Sequence, residues 1–223
     1  MRLPPFAPVL SGMLLCFGLL AVGACSSRPP SEAVAAPPPP LTLVALDRSG
    51  STENFRDSQR GFIVNAGKDS LRRGNYYSFW AVDREANCIY DPKIPRSKKE
   101  FNDSITDEYE TRRTGEATRT RPALLWEALA QKYGGAKSAS GTQPVNVLYL
   151  TDGGNDWAAD EPRITQAVHT LSQNPQVRVA LVGVNPELKP VLETQFAPFA
   201  SRVVVWGRSA TLEQVADWRK GGQ

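Results

Sequence analysis

"LTLVALDRSGST", residues 41–52, is an apolar run that ends in one carboxylate followed by evenly spaced hydroxyls. Five of its first six residues are apolar, which is the composition of a strand buried on both faces. Asp47, Ser49 and Ser51 then alternate, so a tight loop can bring one charged and two neutral oxygen groups to a single point. Oxygen-only ligation suits Mg2+, Mn2+ or Ca2+ and disfavours Zn2+. A plainer reading makes the same residues a strand-to-helix turn, with Ser51 or Thr52 capping the helix that follows.

The pattern recurs further along the chain. "VNVLYLTD", residues 145–152, is a second apolar strand ending in a carboxylate, Asp152. Strands are also expected at 76–83, 177–184 and 202–206, with 88–90 forming a hairpin with the first of these. Helical spacing places helices at about 53–72, 97–110, 122–133, 162–171, 188–200 and 211–218, the second opened by Ser97 with Glu100 three residues on and the third by Pro122. Apolar strands alternating with amphipathic helices imply an α/β domain: a doubly wound, mostly parallel sheet with helices on both faces and one antiparallel edge strand. In such sheets ligands bind at the carboxyl ends of the strands, where the winding reverses. Asp47 and Asp152 stand at two such ends.

"DRSGS" (47–51), "ATRT" (117–120) and "LYLTDG" (148–153), in that order, resemble the metal-ion-dependent adhesion site of von Willebrand factor type A domains. The likeness runs over nearly all of residues 41–223. It implies that Ser49 and Ser51 bind the metal directly, that a threonine of the second loop joins them, and that Asp47 and Asp152 act mostly through bound water. Thr118 is the threonine implied, with Thr120 as its substitute; Ala117 stands where the family usually has glycine. A cation held mainly by neutral hydroxyls stays electrophilic, so the resemblance implies Mg2+ (Mn2+ or Ca2+ in its place) with one position open to an acidic residue of a partner protein. Trp157, in "DGGNDWAAD", either stands beside that open position as an interface anchor or packs beneath its own loop. Trp80 and Trp206 lie in strand patterns and are expected in the core.

Ahead of this domain, Arg2 precedes an apolar run over residues 10–22 interrupted by Ser11, Gly12 and Gly18, the pattern of a signal peptide rather than of a span of about 20 apolar residues. "VGAC", residues 22–25, resembles the lipobox of bacterial lipoproteins, which implies diacylglycerol on Cys25 and cleavage before it; an ordinary cleavage site is the alternative. Each buried CH2 of an acyl chain contributes about 0.8 kcal/mol, so two or three chains anchor a protein firmly. Ser26 after the cysteine points to an outer membrane, facing the periplasm, in a cell that has one. Residues 26–40, "SSRPPSEAVAAPPPP", read as an extended tether. The expected organisation is therefore signal peptide 1–24, lipidated cysteine and tether 25–40, and domain 41–223.

Several functions are disfavoured. Loss of residues 1–24 removes Arg2 and no acid from a formal charge of +3, leaving +2, and acids interleave the basic residues around 98–113, so nothing favours nucleic acid. Cys16 leaves with the signal and Cys25 is acylated, so Cys88 has no disulfide partner. His169 is the one histidine and lies on a helix pattern, a poor basis for a catalytic triad or a zinc site. A magnesium phosphohydrolase of the haloacid dehalogenase type needs a second carboxylate two residues after the first, where this chain has Ser49. The sequence thus reads as a non-enzymatic, membrane-tethered protein-binding domain, with a metal-independent scaffold in an envelope assembly as the alternative.

Overall fold

Seven consecutive residues, Leu41–Asp47, are buried without a break and form β1. Their neighbours explain this: β1 pairs in parallel with β2 (Tyr76–Val82) on one side and with β4 (Val145–Leu150) on the other. The computed structural model describes residues 38–111, 120–135, 143–154 and 156–221. Among these, six strands form one sheet in the order β3-β2-β1-β4-β5-β6, with β3 at Ala86–Lys93, β5 at Val177–Val182 and β6 at Val203–Trp206. Only β3 is antiparallel to its neighbour, as expected of a hairpin, and it is longer than the predicted 88–90.

The two sides of each strand feed two cores. Leu43 and Ala45 point to a layer built with α3 (Pro122–Tyr133), α5 (Glu161–Ser172) and Leu192 of α6 (Lys189–Gln195). Val44 and Leu46 point the other way, to α1 (Arg56–Arg73), α2 (Lys98–Thr111) and α7 (Leu212–Lys220). A short α4 (Asp156–Ala159) lies between β4 and α5. The predicted doubly wound α/β fold, with helices on both faces, is the fold observed. Both cores close on residues within the compact unit Ala36–Gln223, which therefore holds what it needs to fold alone. The expected signal peptide, Cys25 and residues 26–37 of the tether lie outside the described residues, and no described helix is long and apolar enough to cross a membrane.

Two expectations shift. The helix foreseen over 188–200 ends at Gln195 and gives way to a 3-10 turn, Ala197–Arg202, in which Ala200 adopts φ 50°. Trp206 is half-buried instead of in the core, because β6 is an edge strand with a neighbour on one side only.

Candidate metal centre

β1, β2 and β3 succeed one another toward one edge, and β4, β5 and β6 toward the other. The winding reverses between β1 and β4, and the residues leaving those two strands are Asp47–Ser51 and Thr151–Gly154.

Asp47 is buried at 4% exposure, with its carboxylate shared between two loops. Its Oδ1 accepts the Ser49 N–H at 2.8 Å, which curls the chain back over the strand end. Its Oδ2 accepts the Thr151 hydroxyl at 2.6 Å, which ties β1 to β4. Thr52 Oγ1 donates to the carbonyls of Asp47 (3.1 Å) and Ser49 (2.8 Å) and locks the turn from inside. This leaves Ser49 Oγ and Ser51 Oγ facing each other at 2.9 Å on the exposed side. Neither Ser51 nor Thr52 caps α1, whose N-cap position is Phe55 with no side-chain hydrogen bond. The capping alternative is therefore not what the loop does.

Asp152 arrives from the other strand, 1% exposed, and its Oδ1 accepts the Gly154 N–H at 3.0 Å. Gly153 makes the turn at φ 73°, a conformation side chains rarely adopt. Gly154 lets the two loops come close together. A Cβ placed on it would sit 3.2 Å from Asp152 Oδ1 and 3.5 Å from Ser51 Oγ, so these two groups approach the same point.

The electrostatics fit a cation. Burial, and to a lesser extent the charge of Asp152, push the Asp47 carboxyl up to about 6, against the pull of its hydrogen bonds from Thr151 and Ser49. The Tyr149 hydroxyl is raised well above its ordinary value by burial first, with the charges of Asp47 and Asp152 adding to it. A positive charge between the loops would relieve both. Among the described residues no three His, Cys, Asp or Glu side chains cluster as a metal-binding group, so any cation here depends on hydroxyls beside the two carboxylates. That mixture is the donor set of a hard divalent ion.

The rest of the expected site is placed in part. Thr118 lies outside the described residues. Thr120 is buried at 6%, just ahead of α3, and the following N–H, of Arg121, donates to the Asp83 carbonyl at 2.7 Å. The Asp83 carboxylate accepts from Arg48 Nη1 at 3.1 Å, so the loops after β1 and β2 and the start of α3 are tied together. Trp157 is a correction. It is 5% exposed, packs on Tyr149 and Phe196 with ring centres 6.0 and 6.1 Å away, and donates its indole N–H to Gln195. It packs beneath its own loop and offers no ring to a partner. His169 is exposed on α5. Thr151 and Gly154 were not singled out from the sequence, and Thr52 only as a helix cap; Thr151 could have been, since it sits beside Asp152 at the end of an apolar strand.

No protein-family profile and no curated protein matches this chain. Solved structures do. A von Willebrand factor type A protein from Catenulispora acidiphila is 13% identical with a TM-score of 0.53, the match covering 83% of this chain and 42% of that one. The conserved hypothetical protein BatB from Bacteroides thetaiotaomicron is 11% identical, TM-score 0.55, over 81% of this chain and 99% of that one. Proximal thread matrix protein 1 from the mussel byssus, with a zinc-occupied adhesion-site motif, is 16% identical, TM-score 0.50, over 83% and 45%. This chain spans less than half the length of the first and third. At these identities the likeness is one of fold, and the fold is that of type A domains.

Proposed function

We propose that this chain is a protein-binding domain of the von Willebrand type A kind, held on a membrane through lipid on Cys25, that engages an acidic residue of a partner through a divalent cation. The observation that carries the reading is the convergence of Ser51 and Asp152 on the space over Gly154, at the switch point of a type A fold. Ser49 and Ser51, with Thr118 or Thr120, would hold the ion, and Asp47 and Asp152 would support it through water. When bound, the cation would supply an electrophilic position for a partner's carboxylate. Asp47 keeps the loop curled through the Ser49 N–H, and Thr151 holds Asp47 in place. Mg2+ is the ion first proposed, and Zn2+ belongs beside Mn2+ and Ca2+ in any test because the mussel protein carries zinc at its motif. The loop of Trp157 contributes backbone and its exposed neighbour Ala158 rather than an aromatic anchor.

The test is cross-linking capture with the Ala36–Gln223 fragment from envelopes of the cell that makes it, in Mg2+ and in chelator, with Asp47→Ala as control. A partner retained only by the parent and only with the cation supports the reading. A partner held equally well in chelator transfers the function to a metal-independent scaffold. The anchor is tested separately: full-length Cys25→Ala should move from the membrane to the soluble fraction.

A further inference from the structure

The two edges of the sheet are built differently. β3 carries Asp91, Pro92 and Lys93, shifts register against β2 and lies against α2, to which Lys93 is bridged through Glu100 at 2.6 Å. Charge, proline and irregular register are devices that stop an edge from pairing. β6 has neither charge nor proline: its sequence is VVVW, and Val203, Val204 and Trp206 are half-buried. The Trp206 carbonyl accepts from the N–H groups of Gly183 and Val184, so it points toward the β5 side. Strand alternation then turns the N–H and C=O groups of Val203 and Val205 outward. Beside this edge runs a groove of 530 Å³ whose other wall includes Lys189 and Glu193 of α6 and the short side chains of Ala197 and Ala200. Small residues there let another backbone come close.

We propose that a second copy of this chain occupies the groove, β6 against β6 in antiparallel pairing across a two-fold axis normal to the sheet. Charge complementarity selects this occupant. Lys189 and Glu193 sit one turn apart on α6 at the rim of the groove, an ion pair at 3.7 Å whose side chains are 45% and 54% exposed, so each charge can also face a pair of the opposite order. A two-fold normal to the sheet keeps both α6 helices on the same side and sets them antiparallel, so Lys189 of each copy meets Glu193 of the other. An unrelated strand would need to bring both charges in matching order; a second copy has them by symmetry. The edge is equally self-complementary, since Val205 of one copy can exchange both outward backbone hydrogen bonds with Val205 of the other.

Sedimentation equilibrium of the Ala36–Gln223 fragment in chelator, over a wide concentration series, tests this independently of the metal reading. A reversible monomer–dimer equilibrium is expected. Glu193→Lys, which places like charges at both rims, should weaken it by about tenfold. The double change Lys189→Glu with Glu193→Lys restores the opposite pairs and should bring the dimer back to near the parent value. Val203→Pro, which removes an outward N–H, should abolish the dimer while circular dichroism shows the fold retained. Should that variant fail to fold, the exposed charge changes still decide. A monomer at every concentration overturns the proposal, as does a dimer that ignores Glu193→Lys.

Discussion

Leu46 and Asp47 are adjacent and both buried, at 6% and 4% exposure, yet they belong to regions that follow opposite rules. The body of the sheet, ending at Leu46 and Leu150, is mostly apolar on both faces, with Thr42 and Asn146 among its buried polar exceptions. The rim that begins one residue later buries two carboxylates, aligns two hydroxyls and keeps a glycine where a Cβ would crowd both loops. Contacts in the body serve folding alone. Those of the rim hold charge where burial opposes it, a cost that the proposed cation would offset.

Trp126→Ala is the largest perturbation of the body: Trp126 is fully buried, with ring centres 4.8 Å from Phe196 and 5.8 Å from Tyr149. Urea unfolding should show a loss of about 3–5 kcal/mol. The stabilisation that Mg2+ confers on the surviving folded fraction should be unchanged.

Asp47→Asn inverts the sign. The parent carboxyl is raised from 3.8 to about 6, so its protonated form stabilises the fold fully below pH 3.8, and that contribution is lost as pH rises through 6. At neutral pH the loss amounts to about 3 kcal/mol, and the neutral amide should recover much of it in the metal-free protein. Thermal unfolding in chelator at pH 7 should therefore rise by several degrees in the variant, with no further rise on adding metal. The parent itself should show the same logic as a pH profile: Mg2+ should raise its melting temperature more at pH 7.5 than at pH 5, where protons hold Asp47. A larger rise at pH 5 would place the cation elsewhere.

Ser51→Ala is the smallest effect on folding and the sharpest on the comparison. Among the described residues its hydroxyl bonds only to Ser49, on the exposed side, so stability should move by less than about 1 kcal/mol while metal affinity falls at least about tenfold.

The sequence made the body legible because local signals there agree. The apolar run of 41–47 became β1, and Pro122 opened α3 over the predicted 122–133. Legibility failed where the outcome depends on what lies alongside. "VVVW" has the same composition whether a strand is central or at an edge, so the half-buried Trp206 could not be read from it. α6 ends at Gln195 and the chain continues in a 3-10 turn whose Ala200 takes a positive φ, a conformation the residue type does not announce. Trp157 could have faced outward or inward, and the Phe196–Tyr149 pocket that receives it is assembled from distant segments. At the rim, alternation alone brought Asp47, Ser49 and Ser51 into view. Thr151 was readable from its place beside Asp152, whereas Gly154 emerged only once β1 and β4 were neighbours.

The most direct measurement is calorimetric titration of Mg2+, Mn2+ and Zn2+ into the Ala36–Gln223 fragment at pH 7.5, with Asp47→Ala and Ser49→Ala alongside. The account predicts saturable binding of one ion per chain in the parent and none in either variant. A folded parent that binds none of the three, or variants that bind as the parent does, would contradict it.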